Sequence, residues 1–327
     1  MKTMRVMPII IGIIVLSLFE MRIISFIHNQ SLPKLALISD SVLQGKVYNC
    51  AFQNRLIGPL AVRAIQTFLG LSVPKSYFIF ILLMLPVTNI ILFMLFYRLS
   101  RDENVSLRYL LYLILSFILL QDNDYFYSWD VVGLLLFSLF AFGIFMRRST
   151  SFFIFLFTVA IFNKEDALFI PLWLIIDAFA LEGKKRFKSY VQDYQKLGIG
   201  MILILAGAGF IKYIRAKLWV FRPEFAGFGN QFELFISLKR LFYENFFNLK
   251  IIITLFVISV AYFFFMNRKR MSFYTIKIVV LFFCMYVATI TFGVIHETRI
   301  WFNIIPFMLM FHMHFQRLMK EPGGDYV

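Results

Sequence analysis

Residues 77–97 read YFIFILLMLPVTNIILFMLFY, without one charged side chain. At 1.5 Å of rise per residue such a stretch spans about 30 Å as a helix, the thickness of a bilayer's hydrocarbon core. Backbone in that environment has no water to bond to, so the segment is read as a helix that satisfies its own N–H and C=O groups. Working outward, MPIIIGIIVLSLF from Met7 is a second such run, and others recur to the C-terminal end. The whole chain of 327 residues is 61% hydrophobic, 19% aromatic and only 16% charged. Soluble domains are roughly half apolar and a quarter charged. The pattern therefore predicts an all-α integral membrane protein, with residues 1–327 forming a single polytopic membrane domain.

Basic residues punctuate the apolar runs. Lys2 and Arg5 precede the first; Arg98, Arg101 and Arg108 bracket a short polar link; Arg147 and Arg148 follow. Then come Lys184, Lys185, Arg186 and Lys188, then Arg268, Lys269 and Arg270, and finally Arg317 and Lys320. Placing every cluster in the cytoplasm, as the positive-inside bias does for short loops, puts an even number of crossings between neighbours. Each intervening stretch is apolar, polar at its middle, then apolar again. The middles are a long segment from about His28 to Ser76, QDNDYFYSWD (121–130), NKED (163–166), a segment from about Tyr213 to Asn248, and HETR (296–299). The expectation is about ten transmembrane helices in five hairpins, both termini inside and all polar middles outside. MKTMRV and the run behind it read as an uncleaved first helix, because Glu20 and Arg22 follow instead of a small-residue cleavage site.

The third hairpin is short. Arg148 and Lys184 enclose only residues 149–183, where two full crossings need about 40 residues and a turn. Its tip, Asn163-Lys164-Glu165-Asp166, is expected below the outer surface, which implies a protein-lined cavity opening outward. In the first outer segment, CAFQNRLIGPLAVRAIQTFLG (50–70) places Phe52, Leu56 and Leu60 on one stripe and Ile57, Ala61, Ile65 and Phe68 beside it. Arg55 and Arg63 lie off it. This predicts an amphipathic helix on the membrane surface, bent at Gly58-Pro59.

Several function classes fall away. The net charge of +15 does not mark a nucleic-acid protein, since many of the Lys and Arg sit between apolar runs rather than on one soluble face. Two cysteines, Cys50 and Cys284, make no disulfide framework. The chain has no P-loop, GxSxG, HExxH or CxxC pattern, which removes ATP-driven pumps and zinc-dependent membrane proteases of that motif.

Carboxylates gather at the outer middles: Asp40, Asp122, Asp124, Asp130, Glu165, Asp166, Glu224, Glu233, Glu244 and Glu297. Glu165 and Glu297 stand out because apolar runs enclose them. QDNDYFYSWD mixes Asp124 and Asp130 with Tyr125, Phe126, Tyr127 and Trp129, a composition that suits both an interfacial aromatic belt and sugar rings. Asp122-x-Asp124 offers oxygen ligands of the kind a divalent cation takes, but a lone DxD is not counted as a metal site. Outer basic residues, Lys212, Arg215, Lys217 and Arg222 in KYIRAKLWVFRPE, supply donors for a lipid phosphate, which Arg matches with two parallel bonds.

Four features together resemble the GT-C superfamily of polyprenyl-phosphate-sugar-dependent glycosyltransferases. They are Asp40 after the first helix, FQNRLIGPLAVRAI behind it, FNKEDALFIPLWL at a hairpin tip, and HETRIWFNIIPF before the last helix. The resemblance covers nearly the whole chain, though the first loop has no DxD. It implies transfer of a sugar from a polyprenyl-phosphate donor to a glycan acceptor outside the cytoplasm, with membrane lipid as the other partner and no nucleic acid. Asp40 would be the general base. Arg55, Arg215, Arg222 and Arg299 would hold the phosphate. Glu165 and Glu297 would bind hydroxyls or orient those arginines, and Asp124 and Asp130 would line the substrate site. No metal and no cofactor is expected. The setting implied is a bacterial inner (plasma) membrane with the active site facing outside. A polysaccharide polymerase, or a flippase or transporter of lipid-linked sugars, is the alternative class.

Overall fold

A computed structural model describes residues 6–28, 31–44, 55–119, 126–179, 191–217, 273–292 and 304–320. These residues form eleven α-helices, one 3₁₀ turn and no strands. The helices are α1 (Val6–Ile27), α2 (Leu32–Leu43), α3 (Ile57–Leu69), α4 (Val73–Ser100), α5 (Glu103–Leu119) and α6 (Ser128–Phe145). Then follow α7 (Thr150–Ala160), the turn Glu165–Leu168, α8 (Phe169–Ala178), α9 (Tyr194–Lys217), α10 (Phe273–Phe292) and α11 (Ile304–Lys320). Four of them, in α1, α4, α6 and α9, are long and apolar enough to cross a membrane by length and composition.

Helix α6 is the axis. Its sequence SWDVVGLLLFSLFAFGIF is buried almost from end to end, enclosed by α3, α4, α7 and α11. Small residues permit the approach: a Cβ on Gly143 would collide with the Phe152 ring of α7, and close backbone contact of this kind is how membrane helices gain dispersion energy. Large aromatics fill the rest, among them Trp129, Phe140, Phe93, Phe96, Trp173 and Phe307.

The periphery is apolar as well. On α1 the side chains of Met7, Ile11, Val15, Leu18, Phe19 and Phe26 point outward, a face that suits lipid rather than water. Its inner face carries Ser17 and Glu20, both buried, and Asn89 of α4 donates from Nδ2 to Ser17 Oγ at 3.0 Å and to Glu20 Oε2 at 2.7 Å. This amide ties α1 to α4 across the bundle interior.

One expectation needs correction. Gly58-Pro59 does not bend a helix, because α3 begins at Ile57. Pro59 therefore falls in the first turn, where its missing N–H interrupts nothing. The apolar stripe divides between two surroundings: Leu56, Ile57, Ala61 and Ile65 pack against the core. Gly58, Pro59 and Val62 face the protein, while Leu60 and Phe68, the latter 89% exposed, face away.

The two ends of the bundle differ. At one end lie the α1–α2 and α3–α4 connections, the start of α6 and the α7–α8 tip. At the other, Asp177 at the end of α8 accepts from Lys196 of α9 at 2.7 Å and lies 3.3 Å from Lys277 of α10. Lys277 also donates to the Asp177 carbonyl at 2.7 Å, so this cation caps α8 while Asp177 joins α8, α9 and α10.

Candidate functional site

The site end is organised around the first turn of α6. Asp130 Oδ2 accepts the Tyr127 N–H at 3.0 Å, satisfying an orphan donor at the helix start. Trp129 stacks on Tyr127 with ring centroids 4.4 Å apart. The Arg55 guanidinium lies 5.3 Å from the Trp129 ring centroid, within cation–π range. Arg55 and Asp130 are both buried, so both polar groups are enclosed by protein.

The α7–α8 tip closes on the same point. Leu56 and Ile57, the first N–H groups of α3, donate to the Phe162 carbonyl at 2.7 and 3.4 Å. Asn163 Nδ2 donates to the Trp129 carbonyl at 3.1 Å. Helix α7 has 11 residues and α8 has 10, so each is about 15 Å long and covers about half a bilayer core. Between them Lys164 lies 3.5 Å from Asp166, and Glu165 Oε2 and Asp166 Oδ1 are shielded from solvent. Arg55, Asp130 and Glu165 thus belong to elements joined through Trp129.

Asp40 faces a different way. Its neighbour Ser39 meets Ser128 Oγ at 2.8 Å, docking α2 on α6. One residue on, about 100° around the helix, Asp40 looks into an open cavity of about 680 Å³ lined by Leu37, Gln44, Arg63, Gln66, Thr67 and Leu71 among others. Arg63 donates to Asp40 Oδ1 from Nη2 at 2.6 Å and from Nε at 3.2 Å. Gln44 Nε2 donates to Asp40 Oδ2 at 2.5 Å. Asp40 lies well inside α2, so it is not the cap of a helix starting at Ser41.

The structure thus brings Arg55, Asp130 and the Glu165 turn together and sets Asp40 on the adjoining cavity. Arg215 lies on α9, and its side chain is outside the described set. Asp124, Arg222, Glu297 and Arg299 lie outside the described residues. Sequence reading did not give Arg63 a role, because its partner is 23 residues away. Gln44 was readable, since Gln and Asp four apart meet on one helix face. Comparison with protein-family models, with curated proteins and with solved structures returned no match to this chain.

Proposed function

We propose that the chain is a membrane glycosyltransferase of the GT-C type, transferring a sugar from a polyprenyl-phosphate donor to a glycan acceptor. The observation that carries this reading is the placement of a carboxylate–guanidinium pair on an open cavity at the same end of the bundle as a charged tip bonded to the Trp129 carbonyl. An apolar exterior of this extent keeps such chemistry in a bilayer, where a lipid-linked donor resides. The reading includes about ten crossings in five hairpins and a site end facing out of a bacterial plasma membrane.

In the proposed reaction an acceptor hydroxyl attacks the anomeric carbon of the donor. Asp40 takes the hydroxyl proton as the new C–O bond forms. The bond from anomeric carbon to phosphate oxygen breaks, and the phosphate leaves with the electron pair. Phosphate needs no general acid to depart, so cations that stabilise its charge suffice. Arg55, Arg215, Arg222 and Arg299 are assigned that part. Glu165, Glu297, Asp124 and Asp130 are assigned to hydroxyls of sugar and acceptor.

Radiolabelled sugar transfer from polyprenyl-phosphate donors in membranes, with expression matched, tests the reading. Asp40→Asn keeps the shape and removes the proton acceptor, so transfer should slow by at least about a hundredfold. Unchanged transfer in Asp40→Asn would remove Asp40 from the chemistry. Movement of intact lipid-linked sugar across vesicles, without transfer, would instead favour a flippase.

A further inference from the structure

Asp40 Oδ1 accepts two N–H groups from Arg63, which fill its lone-pair sites, while Oδ2 accepts one from Gln44, so Oδ1 can take a proton only once Arg63 lets go. The two groups of the pair are held unequally. The Asp40 side chain is short, 9% exposed and fixed by Gln44 from its own helix. The Arg63 side chain is long and 41% exposed on the cavity wall. Its contact is also incomplete: Nε and Nη2 converge on the single oxygen Oδ1 instead of forking onto two. Its remaining N–H groups meet no protein acceptor among the described residues. A phosphate has the oxygens to fill that fork.

We infer that the Asp40–Arg63 ion pair is a latch: a phosphate-bearing ligand entering the cavity takes Arg63 in place of Asp40 and leaves Oδ1 free to receive the acceptor proton. This rests on the glycosyltransferase reading and adds how its base is kept idle until donor arrives. A half-exposed ion pair shifts an equilibrium by only about two- to fivefold, so the latch yields to a more highly charged ligand. Release leaves the single negative charge of Asp40 unpaired for the acceptor hydroxyl, while Arg63 neutralises the phosphate. The cavity of about 680 Å³, with Gln44, Gln66 and Thr67 as further polar groups, has room for a phosphate and an attached ring.

Affinity of the full-length purified chain for polyprenyl monophosphate provides the test, with polyprenol and inorganic phosphate as parallel ligands. Asp40→Asn frees Arg63 and should tighten phosphate binding about two- to fivefold. Arg63→Gln should weaken it about tenfold or more, as loss of charge-assisted hydrogen bonds does. Arg63→Lys should recover part of the loss, and Asp40→Asn combined with Arg63→Gln should bind as weakly as Arg63→Gln alone. Polyprenol should respond to none of these changes. The pattern with polyprenyl monophosphate alone assigns the ligand to the lipid; the same pattern with inorganic phosphate assigns it to the phosphate group irrespective of its tail. Unchanged or weaker binding in Asp40→Asn, tightening that survives in the double variant, or an equal response to polyprenol each overturns the latch. Should Asp40→Asn fail to fold, Asp40→Ser, which also removes the charge, is read in its place. Transfer that needs Asp40 without the tightening sinks the latch alone; the tightening without transfer of any sugar sinks the transferase reading alone.

Discussion

Gly58 sets the distance between two halves of the site. A Cβ at this position would stand 2.6 Å from Ser128 Oγ and 2.7 Å from both Ser128 C and Trp129 N. Two of those three atoms are backbone, which has no rotamer to turn away. Gly58→Ala must push α3 off α6, carrying Arg55 away from Trp129. The cost should be about 1–3 kcal/mol, as for overpacking elsewhere, read as a lower Tm of the detergent-solubilised protein. Transfer activity should fall along with it. Arg55→Lys is the milder probe of the same spot. Lys keeps the charge over the indole but cannot fork onto a phosphate, so KM for the donor should rise about tenfold at nearly unchanged Tm, because one charge-assisted hydrogen bond is lost. A Tm that falls as far as in Gly58→Ala would make Arg55 a packing residue instead.

At the scale of elements, α1 and α4 are joined by one amide. Asn89→Leu leaves Ser17 and Glu20 without their shared donor in a bundle interior where water cannot replace it. Measured side-chain hydrogen bonds between membrane helices reach about 1.7 kcal/mol, and a loss of about 1–2 kcal/mol in unfolding stability is expected here. Equal stability of Asn89→Leu and the parent protein would show that the contact contributes nothing. What could be read beforehand divides along the same lines. Residues 77–97 announced α4 because an uncharged run of that length has one stable form in lipid. The orientation of α3 was not legible, since hydrophobicity ranks Leu60 and Phe68 alike for a protein core and for lipid. Lipid accepts the large side chains, and the close contact with α6 selects Gly58. Pro59 misled for a local reason: proline breaks a helix interior but suits its first turn, and only the Phe162 carbonyl, more than a hundred residues away, shows where that turn lies. The same limit hid Arg63, whereas the charged tip 163–166 stood out because nothing but apolar sequence surrounds it.

For the whole molecule the decisive quantity is which end faces out. The site end holds Asp40, Arg55, Asp130 and the 163–166 tip. It also holds Arg63 and Lys75, whereas the opposite end holds Arg98, Arg101, Arg108, Arg147, Arg148, Lys196 and Lys277 with the carboxylates Asp102, Glu103, Asp177 and Asp193. A surplus of cations in short loops near helix ends favours the cytoplasm, and a lipid-linked donor presented outside needs the first end exposed there. Ser72, between α3 and α4, and Ser149, between α6 and α7, are both exposed and lie at opposite ends. With Cys50 and Cys284 replaced by serine and alanine, single Ser72→Cys and Ser149→Cys variants report the two faces separately. A membrane-impermeant maleimide applied to intact spheroplasts should label Ser72→Cys, and should reach Ser149→Cys only after the membrane is opened. The reverse pattern would place Asp40 and its cavity in the cytoplasm. In that case an acceptor outside the cell is untenable, and the donor would have to be consumed on the cytoplasmic leaflet.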